Sequence, residues 1–467
     1  MKKIVSVLLL ICMLFGVFAM TGCSKKQAGT SGGAEVEVGE GYDGSEVTIT
    51  FYHTMGESLR NVLDFYIVEF NKMYPNIHIV HEQVGSYNDV RDQIKTQLTT
   101  DAQPNIAYCY PDHVAMYNQT GKVVTLDSFI ASTATVTRAD GTTEIMGLTQ
   151  EQIDDFIDGY YNEGKMFGDG KMYTMPLSKS TEVLYYNKTF FDQHGLKVPT
   201  TWDEMEALCE QIKAIDPTCI PLGYDSESNW FITMCEQYGS PYTSATGDHY
   251  LFDNETNRNF VARFSEWYRK GYVTTEEIYG NYTSGLFNGS DDIRSYMCIG
   301  SSAGATYQRP KANADGSYPF DVGIATIPQV NAENPKVISQ GPSICMFTSE
   351  NTQEMMASWL FVKYLTTCVE FQAEFGMTSG YVPVLESVAD HPVYADFLAK
   401  ANGGNNIAAL SAKICLQQKD AYYTSPAFNG SSTARDEVGK LMTACLTGSK
   451  SLAAAFEAAI AECEYWG

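Results

Sequence analysis

A strand–helix alternation beginning at residue 46 limits the fold more than any other feature of the chain. Glu46–His53 reads EVTITFYH, with Val47, Ile49 and Phe51 on one face, the period of a strand. Leu59, Val62, Leu63, Tyr66, Ile67 and Phe70 then recur at helical spacing, and Pro75 ends that run because the residue before a proline avoids the helical region. Residues 76–84 are strand-like again, Val90, Ile94 and Leu98 mark a further helix, and 105–110 the next strand. Repeated β-α-β units require a parallel sheet wrapped by helices. A second such region opens near Lys171, with strands at 172–177 and 181–187. Thr201 followed by Glu204 forms a capping box for a helix whose buried face carries Met205, Leu208, Cys209 and Ile212. From about Asn351 the chain is mainly helical, with stripes at Val438, Leu441, Met442, Cys445 and at Leu452, Phe456, Ala459, Ile460, Cys463. Its 467 residues are too many for one core and sufficient for two α/β lobes with a helical tail.

The first residues bear on the compartment. Lys2 and Lys3 precede an apolar run from Ile4 to Met20, the build of a secretory signal peptide. The run ends in Met20-Thr21-Gly22-Cys23, which resembles the bacterial lipobox; Met20 stands where that pattern usually has Leu. This reading makes 1–22 a leader, Cys23 the lipidated residue and 23–45 a flexible linker. The alternative is cleavage near Ala19 with Cys23 a bystander. The linker's Ser, Gly and acidic residues show no apolar periodicity. The expected location is therefore the outer face of the cell membrane, held by a lipid anchor only.

Charge excludes some partners. With 56 acidic against 31 basic residues, the formal charge of −25 would repel nucleic acid and anionic membrane surfaces alike. Ten cysteines besides Cys12 and Cys23 are scattered from Cys109 to Cys463 with no CxxC pair, mostly in apolar periodic stretches. Buried, reduced thiols are expected rather than a disulfide framework.

Several segments then carry a resemblance. FYHTM at Phe51–Met55, the stretch Gly170–Leu196 (GKMYTMPLSKSTEVLYYNKTFFDQHGL) followed by PTTWDEMEAL, FDVGIATIPQ at Phe320–Gln329, GPSICMF at Gly341–Phe347 and SGYVPV at Ser379–Val384 run in order along the chain. Together they resemble the family 1 extracellular solute-binding proteins of ABC transporters, above all the maltose-type and glycerol-3-phosphate-binding members. The resemblance implies a two-lobed periplasmic-binding-protein type II fold, with hinge crossovers and a cleft that closes over ligand. It places crossings near Gly159, Thr326 and Gly376, giving lobes of 46–158 with 327–375 and of 159–326 with 376–467. It also implies a monomer without cofactor, whose partners are a small solute and the permease subunits of an importer.

Carried over by position, the resemblance names Tyr87, Asp112, Ser180, Trp230, Ser301, Ser302, Gly341 and Tyr381 as ligand contacts. Trp230 would stack on the ligand; Asp112 is offset by one residue from the family's cleft carboxylate. Aromatic faces with a few aimed carboxylates and amides suit a sugar, which has flat C–H faces and a hydroxyl rim. Glycerol-3-phosphate binders use an arginine in a late loop; the matching stretch Tyr422–Ser432 has Phe428 and no arginine before Arg435. Loss of a bidentate donor, with the Phe428 ring in its place as a further ligand contact, favours a neutral sugar, with glycerol-3-phosphate or another polyol phosphate as the alternative.

Three rival chemistries are weaker. Gly300-Ser301-Ser302-Ala303-Gly304 is a GxSxG string after an apolar run, as in a hydrolase elbow, with Asp321 and His391 as conceivable partners but no oxyanion-hole motif before it. A glycosidase would bind the same sugars, but no acid pair stands out among the 56. His78 and His81 point to opposite faces of a strand, and Asp154-Asp155 and Asp291-Asp292 lack the spacing of a calcium loop, so no metal is expected.

Overall fold

The computed structural model describes residues 32–402 and 406–466. Cys23, its lipobox and the leader lie outside the described residues. Two sheets organise the chain. The first has the order Ile77–Gln83, Val47–His53, Ile106–Cys109, Ser343–Met346, Thr174–Pro176. Its first three strands are parallel, and Ser343–Met346 enters antiparallel to both neighbours. The second has the order Tyr422–Tyr423, Val337–Gln340, Ser180–Asn187, Met297–Ser301, Leu222–Tyr224, Val273–Thr275, with Val322–Ala325 also pairing to Ser180–Asn187.

The amphipathic patterns found their partners. Val62, Leu63, Tyr66, Ile67 and Phe70 of helix Glu57–Met73 are buried, and the Phe70 ring lies 5.1 Å from Phe361 of helix Thr352–Thr367. Thr201 caps helix Trp202–Ile215 by accepting the Glu204 amide, and Met205, Leu208, Cys209 and Ile212 are buried as expected. The ten described cysteines are unpaired, and nine of them are buried. Among the described residues no helix is long and apolar enough to cross a membrane.

The crossings differ in position from the expectation. Thr174–Pro176 belongs to the first sheet, so the chain passes to the second lobe through Leu177–Lys179, not near Gly159. Val337–Gln340 is still in the second sheet, so the return runs through Gly341 and Pro342, not near Thr326. Helix Val369–Ser379 packs on helix Glu57–Met73, and the third passage follows it, beyond Gly376. Sequence periodicity marks a strand but not the sheet it joins; long-range pairing decides that.

These crossings touch one another. Lys179 and Val382 exchange backbone hydrogen bonds of 3.0 and 2.5 Å. Gly341, at φ +94°, approaches so closely that a Cβ there would stand 2.7 Å from the Ser178 carbonyl oxygen. Only glycine has both the backbone freedom and the room.

The segment expected to be a free linker is partly docked. The Ala34 amide donates to Val123 O at 2.7 Å, and the Ser128 hydroxyl donates to Val36 O at 2.7 Å. Tyr42 is buried, and Val36 and Val38 pack against the main hydrophobic core. Average composition concealed these three apolar anchors.

Candidate functional site: the interlobe cleft

In both lobes the loops following the strands' carboxyl ends supply polar and aromatic groups, the usual place for ligand in open α/β sheets. From the first lobe, Tyr87 starts the helix after Ile77–Gln83, and Tyr110 and Asp112 follow Ile106–Cys109. Ser86 fixes that entry by a capping box with Asp89. The Tyr87 ring lies 4.7 Å from Tyr110, and its hydroxyl is 3.3 Å from that of Tyr381. Tyr381 follows Gly380, whose Cα faces Ala303 of the second lobe; a Cβ there would lie 3.3 Å from Ala303 O. The three tyrosines therefore form one aromatic cluster where the lobes meet.

The second lobe supplies carboxylates. Glu182 rises from strand Ser180–Asn187, Asp225 follows Leu222–Tyr224, and Glu276 follows Val273–Thr275. With Ser301, Gly304, Tyr307, Gln308 and Gln340 they line a cavity of about 800 Å³. Burial pushes the Glu182 carboxyl up to about 7, against the opposing effect of hydrogen bonds from the Tyr224 hydroxyl (2.7 Å) and the Asn229 amide (3.1 Å). Burial, with Asp225 and Glu227 nearby, also raises Glu276 to about 7. Burial raises Asp225, although Thr283 donates to it twice.

A smaller neighbouring cavity of about 160 Å³ is lined by Tyr110, Asp112, Ser339, Gln340, Ser425 and Arg435. Gln340, beside the second crossing, borders both cavities. Arg435 donates to Asn229 Oδ1, and Asn229 in turn donates to Glu182, so one chain of hydrogen bonds links the two.

The expected contacts divide. Tyr87 and Tyr381 come together; Asp112 lines the smaller cavity and Ser301 the larger. Ser180 is buried where its strand pairs with Gln340, and Gly341 lies in the second crossing, its carbonyl accepting from Lys179 Nζ at 3.1 Å. Trp230 does not face the cleft: it is fully buried, 4.2 Å from Phe264 and stacked at 4.8 Å on Tyr224. It lies on helix Glu227–Tyr238, whose Trp side packs into the lobe core. Phe428 is also buried, stacked 4.5 Å from His249, and lines neither cavity. The arginine set aside in the sequence, Arg435, occupies the cleft instead, one turn into helix Ser431–Thr447.

Ser302 of the GxSxG string is fully buried and its hydroxyl accepts the Thr181 amide at 3.1 Å; no histidine contacts it among the described residues. No group of three or more His, Cys, Asp or Glu among the described residues is placed to hold a metal ion.

The model of the bacterial extracellular solute-binding protein family matches residues 66–402. The chain belongs to that family. Curated relatives of this solute-binding protein include the multiple sugar-binding protein of Streptococcus mutans, 23% identical over 371 residues, covering 73% of this chain and 76% of that one. Another is the sn-glycerol-3-phosphate-binding periplasmic protein of Escherichia coli, 25% identical over 375 residues, covering 77% and 79%. Among solved structures, the cyclic alpha-maltosyl-1,6-maltose binding protein from Arthrobacter globiformis superposes with TM-score 0.68 at 19% identity, covering 90% of this chain and 98% of that one. UgpB from Mycobacterium tuberculosis, in complex with glycerophosphocholine, superposes with TM-score 0.69 at 17% identity, covering 90% of this chain and 98% of that one. These likenesses support the two-lobed fold.

Missed by sequence reasoning were Tyr110, Glu182, Asp225, Glu276, Gln340 and Arg435. Glu182 had a signal, a lone acid inside the apolar strand STEVLYYN; Gln340 ends strand Val337–Gln340, and the others sit in loops or helices, with spatial neighbours that come from distant sequence.

Proposed function

We propose that this solute-binding protein captures a sugar or oligosaccharide for an ABC importer, carries no enzymatic activity, and is held outside the cell by a lipid on Cys23. The observation that carries the sugar reading is the pairing of an aromatic cluster (Tyr87, Tyr110, Tyr381) with carboxylates and amides (Asp112, Asn229, Asp225, Gln340) at one interlobe cleft. Aromatic faces take the C–H surface of a pyranose, and ionised carboxylates accept its hydroxyls. The sugar-binding relative supports the same class. Ligand bridging both lobes would favour the closed state through contacts that exist only there, and the permease subunits would read that state. Asp112, Ser301 and Tyr381 are the residues we assign to direct contact, with Tyr87 backing Tyr381.

Arg435 favours a second reading. A guanidinium in the cleft beside Tyr110 and Ser425 is the donor that a polyol phosphate requires, and a relative binds glycerol-3-phosphate. A thermal-shift panel of sugars, polyols and glycerol phosphates separates the two, because a ligand specific for the folded state raises the melting temperature with its concentration. A shift with sugars, and no new product by mass spectrometry, supports the first reading. A shift with glycerol phosphates alone would replace it with the second, and product formation would mean an enzyme.

A further inference from the structure

The larger cavity is lopsided in charge. Glu182, Asp225 and Glu276 line it, and among the described residues no lysine, arginine or histidine does. Arg435 compensates Glu182 from the neighbouring cavity through Asn229, but Asp225 and Glu276 have no cation beside them. Glu227 and Glu277, the other charged groups around Glu276, add to the negative field. Asp225 receives two hydrogen bonds from Thr283; Glu276 receives none among the described residues.

A second observation is independent of the acids. Gln308 lines the same cavity, is only 3% exposed, and its side-chain oxygen has no donor. Buried acceptors of this kind are rare without a partner. The cavity thus offers carboxylate and amide acceptors without a cationic donor among its described lining residues. Its rim carries two exposed tyrosines, Tyr282 and Tyr307, at 61% and 73% exposure. Exposed aromatic faces beside carboxylates attract organic cations.

Closure over a neutral ligand would strip water from these carboxylates without supplying a counter-charge, which is unfavourable. A protonated amine supplies both the charge and up to three donors.

We propose that the compartment bounded by Asp225, Glu276 and Gln308 receives the ammonium group of an amine-bearing sugar, so that the protein prefers an amino sugar over its hydroxyl counterpart. This inference rests on the sugar reading and narrows it. The raised carboxyls agree with it, since a bound cation would return them toward their ordinary range.

The test is calorimetry on the purified protein with two matched pairs, glucosamine against glucose and the glucosamine disaccharide against cellobiose, with the amine protonated. The expected result is binding of an amine form at least roughly tenfold tighter than its hydroxyl partner, equivalent to about 1.4 kcal/mol. Glu276→Gln, which keeps the side chain's shape, and Asp225→Asn should each shrink that ratio several-fold while melting temperatures show both variants folded. Equal affinity within a pair, or a ratio unchanged in both variants, overturns the amine preference and leaves the sugar reading standing. Failure of all four sugars to bind, with glycerol phosphate binding, overturns both.

Discussion

Lys179 and Glu163 form an ion pair that solvent barely touches, at 0% and 2% side-chain exposure, where the first two crossings meet. Lys179 Nζ also donates to Gly341 O and, at 2.8 Å, to Ser343 Oγ, binding both crossings. Glu163 accepts from Ser343 Oγ and from Thr424 Oγ1 of the late loop at 3.1 Å. Removing one charge leaves the other buried and unpaired. Lys179→Met should therefore destabilise the fold by about 3–5 kcal/mol in urea unfolding. Glu163→Gln, which keeps acceptor capacity, should cost less than Glu163→Leu. A change under about 1 kcal/mol for Lys179→Met would mean water reaches the pair.

Trp230 and Tyr381 should separate stability from binding. Trp230→Ala empties a site packed by Tyr224 and Phe264 and should lower stability by about 3–5 kcal/mol. Tyr381→Ala should leave melting nearly unchanged and weaken sugar binding roughly tenfold, the worth of one stacked aromatic. If Trp230→Phe abolished binding without loss of stability, the core placement would be wrong.

Two buried groups predict opposite pH slopes. Glu182 is held up to about 7 in the folded state, so the folded protein binds more protons than the unfolded chain between roughly pH 4.5 and 7. Its contribution favours folding below that window and is lost as pH rises through it. Glu182→Gln should flatten this limb of the stability profile.

His53 acts in the other direction. It is fully buried, accepts the Met55 amide at Nδ1, and meets His81 at 2.8 Å; His81 in turn meets Asp64 at 2.8 Å. Burial and the neighbouring His81 hold its pKa down to about 3. Its contribution is therefore present above the unfolded value near 6.5 and lost as pH falls toward 3. Replacing His53 by Phe should reduce the acid sensitivity seen in urea melts below pH 6.5. An unchanged slope would show that another group drives it.

The ten thiols from Cys109 to Cys463 give a counting prediction for protein that lacks Cys12 and Cys23. Nine are buried, and the tenth, Cys368, is half-buried with its thiol pushed up by burial to about 11. A thiol reagent should react slowly, at Cys368 first, in native protein, and with all ten once unfolded in denaturant. Fewer than ten in the unfolded chain, without reductant, would reveal a disulfide.

Local order was legible because it is written locally. The 3.6-residue stripes of Glu57–Met73 and Trp202–Ile215, the Thr201 capping box and the alternation of Val47–His53 each depend on neighbours within a few positions. The family resemblance added the two-lobed plan. Tyr87 and Tyr381 were also reachable, since each sits in a recognisable segment, but their hydroxyl contact spans 294 positions.

Tertiary structure alone decided the rest. Thr174–Pro176 reads as a strand from sequence, yet only its pairing with Ser343–Met346 assigns it to the first lobe and moves the crossing to Leu177–Lys179. Trp230 has the composition of a ligand platform, but the helix carrying it turns that face into the core. Arg435 lies past the loop where an arginine was sought, and the helix brings it back into the cleft. Periodicity fixes which face of an element is apolar, because one chain direction and one repeat set it. Which element that face meets, and so which polar groups converge on a cleft, depends on packing between residues hundreds of positions apart, and no local repeat encodes it.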